Sequence, residues 1–167
     1  MALFGASVFQ ENRNESDIQY DAIGKNSEVI TRGDPLTISS GLLAVASATS
    51  VIVGVAVKTA TMASDNQTVA KVTPGYVPAN LDTTFLMGTN ADLTGNATDG
   101  GTYYKLTGTT GAVLVDVTSG VQTTTSRIVE IVQVDPRGLG GSGAGSGLRE
   151  CLVKFVKTPT LNVGGPA

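Results

Sequence analysis

Val51, Val53, Val55 and Val57 alternate with Ile52, Gly54 and Ala56, so an extended chain here carries apolar groups on both faces. A strand covered on both sides cannot stand alone, and further strands must surround it. The turns follow at once. Residues 62–66 include Ser64, Asp65 and Asn66, whose side chains bond to their own backbone and tolerate tight turns. An extended run with Val69 and Val72 then resumes over 67–73, which predicts an antiparallel hairpin with 51–57. Pro74, Gly75 and Pro78 break that run, and 81–83 turns the chain into a short strand at 84–87.

The rest of the chain repeats this pattern. Short runs of Val, Thr and Ile lie between Gly, Ser, Asn and Pro clusters, with no sustained 3.6-residue period, which predicts an all-β domain. With 167 residues, 41% of them hydrophobic, the chain can close one core, and with aromatics at 5% that core must be aliphatic. Val29 and Ile30, then Leu36 to Ile38, bracket a turn at Arg32-Gly33-Asp34-Pro35, and 42–46 gives another short strand. Residues 90–101 form a polar loop. The runs 102–107 and 112–118 are joined by Gly108-Thr109-Thr110-Gly111, which suits a hairpin. Residues 127–134 alternate apolar and polar until Asp135-Pro136, a Gly/Ser-rich loop spans 138–147, and 148–157 is the last strand. The expected division is an extended N-terminal arm over 1–31, a β domain over 32–158 and a C-terminal tail over 159–167.

Charge singles out the arm. Arg13, Lys25 and Arg32 stand against Glu11, Glu15, Asp17, Asp21, Glu28 and Asp34, so residues 1–34 carry the whole net charge of -3. Without a basic stripe, binding to nucleic-acid phosphates is not expected. An acidic segment fits a basic protein surface, or simply water. The arm's apolar residues, among them Phe4, Phe9, Ile18 and Tyr20, are too widely spaced for a core but suit a groove. Residues 36–57 are uncharged and long enough to span a bilayer, yet Ser39-Ser40-Gly41 and 47–50 cut them into strand lengths, so no membrane span is expected. The N-terminus has neither the basic nor the long apolar region of a signal peptide.

Absent residue types exclude most catalysis. With no His, neither a Ser-His or Cys-His pair nor a His-bearing zinc site can form, and the acids lie mainly on the arm and in loops. The expectation is a protein without catalytic residues, metal or cofactor. Cys151, the sole cysteine, sits in an apolar run and is expected in the core. Other short matches have plainer accounts. Arg32-Gly33-Asp34 matches an adhesion tripeptide but also reads as turn chemistry, and the glycosylation triplets at Asn14, Asn66 and Asn96 matter only after export. Asp92 and Asp99 lack the spaced carboxylates of a calcium loop, and the glycines of 138–143 lack the strand-to-helix setting of a phosphate cradle.

Taken together, Gly33-Asp34, VIVGVAV at 51–57, SDNQTVAKV at 64–72, DTTFLM at 82–87, GGTYYKLTGTTGAVLVDVTSG at 100–120 and RIVEIVQVDP at 127–136 resemble the capsid cement, or head-decoration, proteins of tailed bacteriophages. The resemblance covers about residues 30–157 and implies a small β-sandwich or barrel-like domain of the β-tulip type, outside the icosahedral shell of the virion. It implies the major capsid protein as partner, self-association as a homotrimer or a dimer, and synthesis in the host cytoplasm. An N-terminal arm would reach the shell. On that basis Phe4, Phe9, Ile18 and Tyr20 are candidate capsid anchors, and Glu11, Glu15, Asp17 and Asp21 candidate electrostatic guides. The Gly/Ser loop and Pro/Gly tail depart from the family pattern. A secreted or surface-displayed β-rich adhesion module is the alternative, and it would require export.

Overall fold

The structure, a computed structural model, describes residues 7–8, 18–48, 50–80, 83–93, 101–123, 126–134 and 150–158. It is an all-β fold of twelve strands with no α-helix among the described residues. The strands are β1 (Ser7–Val8), β2 (Val29–Ile30), β3 (Pro35–Ser39), β4 (Leu42–Val45), β5 (Gly54–Ala56), β6 (Ala60–Thr61), β7 (Tyr76–Pro78), β8 (Phe85–Gly88), β9 (Thr102–Thr107), β10 (Leu114–Asp116), β11 (Val129–Val134) and β12 (Glu150–Phe155).

Six strands form one sheet in the order β1-β8-β12-β11-β9-β10. It curls until its ends nearly meet, because Thr89, just past β8, bridges Val115 of β10 and the Asn90 N–H donates to the Val115 carbonyl at 3.0 Å. The result is a nearly closed barrel. A register shift between Ile131 and Gln133 marks an irregularity in the β11–β12 ladder. Inward positions follow the two-residue period: Phe85 and Met87, Tyr104 and Leu106, Val129 and Ile131, then Cys151, Val153 and Phe155 are all buried. The Phe85 and Phe155 rings meet at 5.2 Å with a 57° tilt, a favourable edge-on arrangement, so the core is not aliphatic as expected but holds much of the chain's small aromatic complement.

The remaining strands make a four-stranded sheet, β4-β3-β5-β7, and the pair β2-β6. Ser40 and Gly41 link β3 to β4 with φ of 53° and 80°, the two positive angles that match a tight hairpin to the strand twist. Gly54, in the middle strand, is required by space: a Cβ there would strike the Val77 carbonyl oxygen and the Tyr76 ring. Ala46, Ile52, Val55, Val77 and Ala79 reach into the barrel core, while Ile30, Leu36, Leu43, Ala56, Met62 and Tyr76 form a second core. Neighbouring β5 residues face opposite ways, so Val55 and Ala56 serve different cores and one strand joins them.

Two further expectations change. The run 67–73 is not a strand: Asp65 accepts from the Thr68 and Val69 N–H groups, which coils the chain, and Val69 is 71% exposed. β5 pairs instead with β3 and β7, so the predicted hairpin is replaced by longer-range pairing. Nor does a separate arm extend to residue 31. The Gln19 and Tyr76 backbones exchange hydrogen bonds, Ile23 and Lys25 bond to Leu43, and β2 pairs with β6 and buries Ile30 completely. Residues 18–31 thus belong to the body.

Removing residues 1–17 is therefore expected to lower Tm by no more than about 4 °C, as only the two pairs of β1 are lost from the described body. Removing 1–31 deletes Ile30 and the backbone partners of Leu43, and should cost at least about 3 kcal/mol, or 6 °C or more. Thermal melts of the two truncations check this.

Candidate interaction surface

Three polar side chains inside the body, Asp34, Asn66 and Asp116, are spent on its own architecture. Asp34 is fully buried, and one carboxylate oxygen accepts the Thr31 N–H at 2.8 Å while the other accepts the Gly111 N–H at 2.7 Å. Its backbone also joins β5, since the Ala56 N–H donates to the Asp34 carbonyl at 2.9 Å. One residue thereby fastens the turn before β3 to the tip of the β9–β10 hairpin, 77 residues away. Burial pushes the carboxyl up from its ordinary value, the two N–H bonds work against that rise, and the charge of Glu28 adds to it. A carboxylate so enclosed cannot be displayed, so Arg32-Gly33-Asp34 is a structural turn and not an adhesion loop.

Asn66 plays a comparable part. Its amide nitrogen donates to the Gly24 carbonyl at 2.7 Å and the Val72 carbonyl at 3.3 Å, and its oxygen accepts the Val72 N–H at 2.9 Å. Both amide hydrogens are engaged and the residue is buried, so glycosylation at Asn66 is incompatible with the fold. Asn14 and Asn96 lie outside the described residues.

Asp116 ends β10 in a third knot. Burial disfavours its charge, but hydrogen bonds from the Ser119 hydroxyl, the Thr118 hydroxyl, the Asn90 amide and the Ser119 N–H outweigh that and hold its carboxyl at about 2. Lys105 approaches at 3.8 Å. Cys151 lies in the barrel core as expected, where burial and then the charge of Glu150 push its thiol up to about 12.

The proposed anchors and guides divide. Phe4, Phe9, Glu11, Glu15 and Asp17 lie outside the described residues. Ile18 is half-buried against the barrel core, which gives it an intramolecular role. Asp21 accepts the Tyr76 hydroxyl at 2.7 Å, and burial followed by this carboxylate pushes the Tyr76 phenol above its usual range. Tyr20, in contrast, is 53% exposed, with its ring lying against Gly75 where a Cβ would come within 2.7 Å. Tyr76 is thus the post to which the root of the arm is tied, through the Gln19 backbone on one side and Asp21 on the other. Sequence reasoning read Asp34 and Asn66 as turn residues but not their long-range bonds, and it passed over Tyr76 and Asp116. The available signal for Asp116 was Asp-Val-Thr-Ser-Gly at 116–120, a motif in which a side chain caps its own turn.

Among the described residues no group of three or more His, Cys, Asp or Glu could hold a metal ion, and no helix is long and apolar enough to cross a membrane. Asp92 is described and Asp99 is not, so the loose calcium-loop pairing lies partly outside the described residues. Comparison with protein-family models, curated proteins and solved structures finds no significant match.

The Asp116 carboxyl is depressed, so its contribution to stability is present above its ordinary value of 3.8 and is lost as pH falls towards about 2. Asp116→Asn should therefore be less stable than the parent by roughly 2 kcal/mol at pH 7, and the gap should narrow between about pH 4 and pH 2. Urea titrations across that range check it. The Cys151 thiol should stay unreactive to an aromatic disulfide reagent at pH 8 until the protein unfolds.

Proposed function

We propose that the protein is a structural component of a tailed-phage virion that binds the outside of the expanded capsid and stabilises it. Its partner is the major capsid protein, and three copies associate around a local three-fold position. The observation that carries this is the tethering of the chain at Tyr76: residues 18–31 are held to the body, with the Tyr20 ring exposed on it. An exposed aromatic ring on a well-tied backbone suits docking rather than chemistry. The sequence resemblance supplies the shell as the surface to be clamped.

No reaction is needed for the stabilisation. A protein that binds the expanded lattice more tightly than the unexpanded one favours expansion by the difference in binding free energy, and many symmetry-related copies add their contributions. Tyr20 is the described residue best placed to contact the shell, with Phe4 and Phe9 as further anchors from the leading segment. Three of the four expected acidic guides remain for that task. Asp21, Glu28 and Asp34 all make hydrogen bonds within the body, which leaves Glu11, Glu15 and Asp17 to steer docking onto a basic surface.

Co-sedimentation with expanded and unexpanded empty heads of the parent phage tests this. The full chain should bind expanded heads preferentially and less tightly at raised salt, and removal of residues 1–17 should weaken binding tenfold or more, about 1.4 kcal/mol. Equal affinity for both heads, or none for either, would overturn the proposal.

A further inference from the structure

The way Tyr20 is held points to the group it meets. Gln19 and Tyr76 form an antiparallel bridge and exchange backbone hydrogen bonds, which sets Tyr20 opposite Gly75. A Cβ on Gly75 would come within 2.7, 2.8 and 3.0 Å of Cε1, Cζ and Oη of the Tyr20 ring, so the phenol end of the ring lies across the glycine backbone. The residue is nevertheless 53% exposed, and the face turned away from Gly75 is open to solvent. Both neighbours are fastened as well: the Tyr76 hydroxyl donates to the Asp21 carboxylate at 2.7 Å, with the Gln19 side-chain oxygen at 3.3 Å. The ring is thus set in place beforehand, and little freedom is left for it to lose on binding.

The open face of a tyrosine attracts cations, because its π-electrons carry partial negative charge. This chain already uses a tyrosine in that way, with the Arg127 guanidinium carbon 4.5 Å from the centre of the Tyr103 ring. Charge around Tyr20 favours the same choice. Asp21 follows it directly, and before Gly24 the sequence sets Glu11, Glu15, Asp17 and Asp21 against Arg13 alone. A cationic side chain brought to the ring meets an acidic neighbourhood, whereas an anionic one is repelled.

We infer that the open face of Tyr20 docks a cationic side chain, a guanidinium or an ammonium group, of the shell protein, and that Gly75 is the positioning residue that lets the ring lie flat for it. The inference rests on the capsid reading proposed above and adds the chemistry of the contact. It makes the ring face, rather than the hydroxyl or apolar bulk, the part of Tyr20 that is recognised.

Binding of full-chain variants to expanded empty heads tests this, with Tm measured alongside. Tyr20→Phe keeps the ring face and should bind within about twofold of the parent, whereas Tyr20→Leu keeps apolar bulk without it and should bind about fivefold or more weakly at unchanged Tm. Gly75→Ala, whose Cβ strikes the ring, should weaken binding by a similar factor but cost nothing further in the Tyr20→Leu background. If the parent binds and Tyr20→Leu binds equally well, the contact is apolar or lies elsewhere, and the inference falls while the capsid reading stands. A loss on Tyr20→Phe as large as that on Tyr20→Leu would make the hydroxyl the contact and overturn it too. An undiminished effect of Gly75→Ala in the Tyr20→Leu background would show that the glycine serves the fold and not the ring. A parent chain that binds no heads at all removes the capsid reading, and this inference with it.

Discussion

The buried carboxylate of Asp34 is the constraint on which the architecture turns. Its two oxygens and its backbone reach a turn, a barrel hairpin and the middle strand of the second sheet. An amide in its place keeps one acceptor and presents a donor to an N–H group, so the carboxylate is needed in kind. Placing it there has a cost, visible in the raised pKa, and the N–H groups offset part of it. Because Asp34 bonds to β5, whose Val55 and Ala56 serve the two cores, the barrel and the four-stranded sheet are held as one body.

The other polar residues follow the same rule at smaller scale. Asn66 holds the coiled segment 64–70 against Gly24, Asp116 closes the turn after β10, and Glu28 accepts the Val45 N–H at 3.1 Å. These side chains do what hydrogen-bonded strands would otherwise do where the chain runs irregularly. The tie at Tyr76 holds Gln19 and Asp21 to the body in the same way.

Local pattern made much of the barrel legible. The alternation of 127–134 marked β11, the apolar run after the Gly/Ser-rich loop marked β12 and the burial of Cys151, and the four-residue Gly-Thr-Thr-Gly linker marked the β9–β10 hairpin. The misread run 67–73 shows the limit of that signal, because Val69 and Val72 are β-prone residues but their backbone is claimed by Asp65 and Asn66. Long-range partners were less legible still. Asp34 meets Gly111 across 77 residues and Asn66 meets Gly24 across 42, and no local period records either contact. The acids at 21, 28 and 34 read as part of a segment for a basic protein surface or for water for the same reason: their partners lie elsewhere in the chain.

Amide hydrogen exchange resolved by residue tests the central claim, that Asp34 binds the two parts into one unit, most directly. If it does, the Thr31 and Gly111 amides open with the same free energy as the Ala56 amide, which donates to the Asp34 carbonyl in the middle strand. All three should then exchange only when the whole body unfolds. Fast, unprotected exchange at Thr31 and Gly111 while Ala56 stays protected would contradict the account, because the carboxylate would then be gripping neither the turn nor the hairpin.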